Sequence, residues 1–253
     1  MPEAPKFSVV TASFNALDGL KSTVDSVAAQ TFQSFEHVIV DGGSSDGTRA
    51  YLESLGDCVR WISEPDGGIA DALNKGVAMA RGDWILVLQA EDTFVSPSSL
   101  SSAADSLRPG ADITSFPVLM AESDGALRKI VSHGLGWRSF LHMTIPHQGA
   151  FCRADLFARI GTFDCSYRIA MDYDFFLRAR KSGAVCNVAR ETISIMPATG
   201  ISSRQDWAGM KERLVEFRKA QSANTGIFAR AILSLYWSVY WPFKRVKVAV
   251  TNG

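Results

Sequence analysis

Two segments in the first hundred residues set carboxylates where a ligand could meet them. In IVDGGSSDGT, Asp41 closes an apolar run and is followed by a glycine-rich loop and a helix start. That order presents a carboxylate and backbone N–H groups together. The same residues would equally make a tight strand-to-helix turn, with Ser44 or Ser45 capping the helix. In LVLQAEDTF, Glu91 and Asp92 stand side by side directly after a second apolar run. Hard carboxylate oxygens there suit Mg2+ or Mn2+ bridging a diphosphate, because the cation neutralises phosphate charge; a solvated acidic turn is the alternative. The GxGxxG fingerprint is absent, which removes the main support for a nicotinamide-binding fold. The four cysteines (Cys58, Cys152, Cys165, Cys186) form no CxxC pair, arguing against a zinc site and a disulfide framework.

These clusters need elements to hold them, and the periodicity supplies candidates. Phe7–Thr11, His37–Asp41, Val59–Ser63 and Trp84–Leu88 are short, continuously apolar or β-branched runs that read as strands. Between them lie helical patterns: Leu20, Val24, Val27 and Ala28 behind an Asp18 cap, a short helix to about Leu55, and Ile69, Leu73 and Val77 in a helix ending near Gly82. Strand–helix alternation with apolar strands implies a doubly wound, mostly parallel sheet covered by helices on both faces. Ligands of such sheets bind beyond the carboxyl ends of the strands. Polar clusters fall there four times, at Ser13–Asn15, Asp41–Thr48, Glu64–Asp66 and Gln89–Asp92. Four in register point to a site.

Further on, Asp112–Leu119 and Arg128–Ser132 read as strands, Ala154–Ile160 and Asp172–Lys181 as helices, and Val185–Ala189 with Thr192–Met196 as a strand pair. A charged helix at about Arg204–Ala220 leads into a tail. The 253 residues carry 26 basic and 26 acidic side chains, so no global field favours nucleic acid. From Phe217 to Gly253, however, there are six basic residues and no acid, leaving the first 216 residues at net −6. The opening MPEAPKFSVV does not read as a secretory signal, and the expected location is cytoplasmic.

The strings FSVVTASFNALDGLKSTVDSVAAQTF, VIVDGGSSDGT, SEPDGGIADALNKGVAMARGDWILVL and QAED, taken in order, resemble the nucleotide-sugar-binding half of inverting family 2 glycosyltransferases with the GT-A fold. PHQGAFCRADLFARIGTFDCSYRIAMDYDFFLRARKSG is similar to the second half of bacterial members that build surface or capsular polysaccharides. The resemblance implies residues 1–110 as a nucleotide-sugar-binding half, 111–200 as the acceptor-binding and catalytic half of the same domain, and 201–253 as a helical, basic-aromatic tail. It implies that Thr11, Ser13 and Asn15 line the base and ribose pocket and that Asp41 hydrogen-bonds the base. Asp66, Asn74 and Lys75 fall where the family approaches the nucleotide and its phosphates. QAED occupies the position of the family's DxD motif, with Gln89 and Glu91 replacing its aspartates. Asp92, assisted by Glu91, is then the expected ligand of a divalent metal, Mn2+ or Mg2+.

Asp172, in AMDYDFFLR, aligns with the general base of the family's ED-type motif, with Met171 in place of the acid before it. Inverting transfer needs one carboxylate to take the acceptor hydroxyl proton as the oxygen attacks the anomeric carbon. Asp174 is its rival, and a helix cap is the structural alternative for Asp172. His147, in PHQGAF, would donate a hydrogen bond to the leaving diphosphate or ligate the metal, unless it is a satisfied loop residue.

The implied activity is transfer of a sugar from a nucleotide diphosphate donor to a hydroxyl of a saccharide, in lipid-linked form, with inversion. A catalytically silent nucleotide-sugar-binding subunit is the alternative. A nucleotidyltransferase would want a basic glycine-rich loop after the first strand, and SFNALDG does not provide one. In the tail, the 13 residues AILSLYWSVYWPF would span only about 20 Å as a helix, against a hydrocarbon core of about 30 Å. With KRVK behind them they suit peripheral attachment at the inner face of the cell membrane; packing on protein is the alternative.

Overall fold

The apolar runs of the first hundred residues pair side by side in a computed structural model that describes residues 4–198 and 206–251. β1 (Phe7–Ser13) pairs in parallel with β2 (Phe35–Asp41) and with β4 (Trp84–Val87), and β2 pairs in parallel with β3 (Arg60–Ser63). Three more strands extend this sheet: β6 (Ile113–Ser115), β9 (Ala150–Arg153) and β10 (Cys186–Val188). The order is β10-β6-β9-β4-β1-β2-β3, with β9 alone antiparallel to its neighbours.

Helices cover both faces. α1 (Leu17–Ala28), α2 (Thr48–Ser54) and α4 (Ser99–Ser106) pack on one, through Leu20, Val27, Leu52 and Leu100 against Val9, Ile39 and Leu86. α3 (Ile69–Met79), α5 (Ala154–Ile160) and α6 (Met171–Lys181) pack on the other, against Val10, Val38, Ile85 and Val87. Burial on both sides is why the strands read as unbroken apolar runs rather than alternating ones. Gly76 lets α3 lie close: a Cβ there would overlap Val10 Cγ1.

A second sheet of four strands, ordered β5-β11-β7-β8, stands beside the first. It contains β5 (Thr93–Phe94), β7 (Val118–Ala121), β8 (Leu127–Ile130) and β11 (Ser194–Pro197). Here the structure corrects two expectations. The run Asp112–Leu119 is not one strand, because Pro117 lacks the N–H a ladder needs; the chain leaves the large sheet as β6 and enters the small one as β7. The expected pair Val185–Ala189 and Thr192–Met196 likewise divides, β10 pairing with β6 and β11 with β7.

Two expected caps also move. α1 begins at Leu17 with Asp18 inside its first turn, and the Leu17 N–H donates to Asp46 Oδ2 across the loop at 2.9 Å. α2 begins after Gly47, whose φ of +94° is a left-handed conformation that suits glycine, and Asp46 Oδ1 rather than a serine accepts the Thr48 N–H at 3.1 Å.

The tail forms α7 (Trp207–Asn224) and α8 (Ile227–Thr251). Arg204, the expected start of the charged helix, lies outside the described residues, as does the boundary expected at residues 200 and 201. The inner face of α8 buries Leu233 and Trp237 against Met210 and Leu214 of α7. Trp237 Nε1 donates to Gln221 Oε1 at 2.6 Å, and Gln221 Nε2 donates to the Tyr173 hydroxyl of α6 at 3.1 Å. The tail is therefore part of the fold.

Candidate active site

At the ends of β1, β2 and β3 the loops are tied to one another before any ligand arrives. Asp41 is fully buried. Its Oδ2 accepts the Ser44 N–H at 3.1 Å and the Ser63 hydroxyl at 2.7 Å, and its Oδ1 accepts the Ser44 hydroxyl. Asn15, at φ +48°, accepts the Ser45 N–H on Oδ1 at 2.9 Å while its own N–H donates to Ser44 Oγ. Asn tolerates that left-handed conformation better than most residues. Asp66 Oδ1 accepts the Gly68 N–H at 2.8 Å, and a Cβ on Gly42 would press on the Asp66 carboxylate and the exposed Phe14 ring. A polar rim results. Ser13 sits beside Asp41 in register, and its buried Oγ has no hydrogen-bond partner among the described residues. Thr11 is placed differently: it is buried in the core, its Oγ1 donating to Leu88 O and meeting His37 Nε2. Burial alone pushes the His37 pKa down to about 3, so that ring is neutral.

Beyond β4 the chain turns at Gln89–Asp92. Asp92 is buried, and its Oδ2 accepts the Gln89 N–H at 3.0 Å. Loss of solvent pushes its pKa up to about 7, against the lowering effects of the His147 charge, the Gln89 N–H and the Gln148 side chain. Glu91 takes φ +84°, and the stem of its side chain packs over Gly19 of α1, where a Cβ would collide with it. The two adjacent carboxylates thus leave the turn in different settings. Among the described residues no three His, Cys, Asp or Glu side chains converge as a metal site. Asp92 fits the binding mode in which a divalent ion takes one or two carboxylates and completes its shell with substrate phosphates and water. Glu91 lines the same cavity as Asp92.

Asp92 opens onto a chain of polar contacts. Gln89 Nε2 lies 3.4 Å from His147 Nε2, and His147 Nδ1 lies 3.0 Å from Asp172 Oδ2. The imidazole that satisfies both neighbours carries its proton on Nδ1, donates to Asp172 and accepts from Gln89. Burial pulls the His147 pKa down, but the hydrogen bond and charge of Asp172, with the charge of Asp92, carry it above the ordinary imidazole value.

The structure separates Asp172 from its rival. Both lie in the first turn of α6, but Asp172 faces the polar chain, with its Oδ1 accepting the Tyr173 N–H at 2.7 Å. Asp174 is nearly sealed on the other side, paired with Arg178 Nε at 2.7 Å and with Asn224 Nδ2 at 2.8 Å. Arg178 is itself consumed by the carbonyls of Ile160, Gly161 and Thr162. The approach to α6 is held from the tail: the Glu216 carboxylate of α7 accepts the N–H groups of Arg168, Ile169 and Ala170 at 2.8–2.9 Å. A carboxylate at a helix N-terminus is also favoured by the helix dipole.

Asn74 and Lys75 are brought near the strand ends but are already engaged. The Asn74 amide clamps the Phe163 backbone through two 2.8 Å bonds, and Lys75 Nζ pairs with Glu64 at 2.8 Å. One cavity of about 580 Å3 gathers the rest: Gln89, Glu91, Asp92, His147 and Asp172 line it together with Met196, Met210, Leu214, Phe217, Trp237 and Tyr240. Arg168, Arg213 and Lys244 also line it. Sequence reasoning missed these tail residues. The only signal was helical spacing, which puts Trp237, Tyr240 and Lys244 on one face of α8.

The comparisons with known proteins bear on the fold and the family. An uncharacterized glycosyltransferase of Mycobacterium tuberculosis is 37% identical over 215 residues, covering 81% of this chain and 80% of the relative. A PGL/p-HBAD biosynthesis glycosyltransferase of Mycobacterium bovis is 29% identical over 240 residues, covering 92% and 90%. Among solved structures, a mannosyltransferase from Pyrobaculum calidifontis in complex with GDP-Man and Mn2+ superposes with a TM-score of 0.69 at 18% identity, over 98% of this chain and 74% of that one. Residues 1–349 of TarS from S. aureus, in complex with UDP-GlcNAc, give 0.63 at 19% identity over 76% and 58%. These likenesses establish a GT-A fold. The description "Glycosyl transferase family 2" matches residues 8–167, from β1 to the loop before α6 and through all but one strand of the larger sheet, and the chain belongs to that family.

Proposed function

We propose that this glycosyltransferase moves a hexosyl unit from a nucleotide diphosphate donor to a hydroxyl of a membrane-borne saccharide, with inversion, in building a bacterial surface or capsular glycan. The observation that carries this reading is the Gln89–His147–Asp172 chain, which borders one cavity with Asp92. Residues 1–110 supply the donor half. The rim of Asn15, Asp41 and Asp66 faces the nucleotide, and the unpartnered Ser13 hydroxyl gains a bond there, since a buried hydroxyl left unpaired costs about 1–3 kcal/mol. The neighbours solved with UDP-GlcNAc and with GDP-Man support a sugar nucleotide as the ligand. Residues 111–200 supply the base.

Asp172 accepts the acceptor hydroxyl proton on its carboxylate while that oxygen attacks the anomeric carbon. The bond to the nucleoside diphosphate breaks on the opposite face, and a single displacement inverts the centre. His147 keeps the Asp172 carboxylate oriented through Nδ1–H, and Gln89 holds the ring. A divalent ion, Mn2+ or Mg2+, would be held by Asp92 and would neutralise the leaving diphosphate. The silent-subunit alternative draws no observation from the site.

The tail supports peripheral membrane attachment. Phe228, Ile232, Leu235, Val239, Phe243 and Val246 fall on one face of α8 at helical spacing and are 58–86% exposed, in a stretch without acid. No helix among the described residues is long and apolar enough to cross a membrane. Leu235→Glu with Val239→Glu should abolish co-sedimentation with anionic vesicles. A full-length protein that stays in the supernatant as an oligomer would assign this face to subunit contact.

The activity is tested by thermal shift with sugar nucleotides, with and without Mn2+, followed by transfer assays. Ligands that bind the native state raise its melting temperature. One nucleotide class should protect, and the protected protein should release nucleoside diphosphate and form a product of inverted anomeric configuration. Protection without any turnover would leave only the silent subunit.

A further inference from the structure

The cavity that begins at Asp172 continues to a wall rich in apolar side chains. Its tail-side wall is built from Met196 of β11, Met210, Leu214 and Phe217 of α7, and Trp237 and Tyr240 of α8. Aromatic rings can stack on a sugar ring, but the two thioethers and the aliphatic chain set among them offer apolar contact rather than partners for hydroxyls, with Arg213 and Lys244 as the cations beside them. Unbranched methionine adapts to irregular apolar shapes, and aromatic rings bury large apolar areas. The wall is ordered from behind: Trp237 is pinned to Gln221, and Tyr236 and Tyr240 stack with ring centres 4.9 Å apart. Lys244 lies 5.3 Å from the Tyr240 ring centre at the same side of the cavity.

We propose that this wall is a subsite for an apolar aglycone, aromatic or alkyl, joined to the accepting sugar. The inference rests on the transferase reading above and specifies its acceptor. The reaction residues and the apolar wall share one cavity of about 580 Å3, within the size range of sites that enclose a single small ligand. A sugar ring against Asp172 and its apolar substituent therefore fit together, with the substituent attached directly or within a few bonds. The opposite face of α8 carries the exposed apolar stripe, so the helix that lines the subsite is also the one suited to a lipid surface. An acceptor lying in that surface would reach the cavity past α8.

The test compares methyl, hexyl and phenyl glycosides of the accepted sugar, with the full chain and a protecting sugar nucleotide. The hexyl and phenyl glycosides should show kcat/KM at least tenfold above the methyl glycoside, since several buried CH2 groups or one ring exceed the free energy that a factor of ten requires. Met196→Gln and Tyr240→Ala should remove most of that preference through acceptor KM. Both residues are half-buried, and donor hydrolysis without acceptor should remain at its original rate, showing that the fold and donor site are intact. Equal kcat/KM for the three glycosides, or variants that depress all three alike, would overturn the subsite while leaving the transferase reading in place. Absence of both donor protection and turnover would overturn both.

Discussion

The strand-end rim and the α6–tail cavity handle polarity in opposite ways. At the rim, each carboxylate is neutralised locally by N–H and hydroxyl groups a few residues away or on the next strand, as with Asp41 and its bonds from Ser44 and Ser63. In the cavity, a buried aspartate and a half-buried imidazole shift in pKa: Asp92 rises to about 7 through loss of solvent, and His147 rises through the hydrogen bond and charge of Asp172 and the charge of Asp92, against the pull of burial. A pre-bonded rim offers fixed dipoles to a ligand. A carboxylate whose pKa lies near 7 can exchange a proton under working conditions. The difference teaches where recognition and where chemistry reside.

Replacing the candidate base should break this division most severely. Asp172→Asn is expected to lower transfer by ~10²–10⁴-fold while the donor still raises the melting temperature, because a positioned base contributes on that scale. Near-normal turnover would move the chemistry away from α6.

A pH series on Asp92→Asn sharpens the contrast through stability. The folded protein retains the Asp92 proton up to about pH 7, whereas an unfolded aspartate releases it near its model value of 3.8. The wild type therefore loses stability as pH rises across that window. The variant has no such loss, so in metal-free buffer it should gain on the order of 2–4 kcal/mol relative to wild type between pH 4 and pH 8. Chemical denaturation at the two pH values measures it; a constant difference would show that Asp92 is already ionised in the fold.

On the rim, Asp41→Ala should leave Ser44 and Ser63 without their acceptor. We expect donor affinity to fall about tenfold and stability to fall by ~1–3 kcal/mol. Isothermal titration and melting curves separate the two effects. The smallest catalytic effect is expected for Asp174→Asn. It should lower stability by ~1–3 kcal/mol through loss of the Arg178 pair, yet change kcat/KM by no more than about threefold. A larger kinetic loss would mean that the two aspartates of α6 act together.

Amino-acid order alone determined the parallel core and the rim, because both arise from local patterns. Apolar runs such as Phe7–Thr11 and His37–Asp41 must be buried on both faces, and the polar residues that end them must then gather at one edge. The place of Asp41 at a strand end was legible for that reason, whereas Ser44, read as a helix cap, proved to be its hydrogen-bond partner. The broken strand at Pro117 was legible in principle, since proline cannot donate to a ladder, but which sheet each half joined depended on long-range pairing. Only the tertiary structure decided the rest. Asp172 and Asp174 are two residues apart with the same side chain, and no local rule separates one that meets His147 from one sealed by Arg178 and Asn224. Glu91 and Asp92 are adjacent, yet a left-handed residue at Glu91 sends one stem over Gly19 while the other is buried. Asn74 turned out to be a clamp for Phe163, 89 residues onward. The tail left membrane attachment and packing on protein both open because its inner and outer faces are both apolar, and composition does not reveal which one meets protein. Burial and hydrogen-bond partnership are properties of packing between distant segments, so side chains that depend on them acquire their roles only once the chain has closed around them.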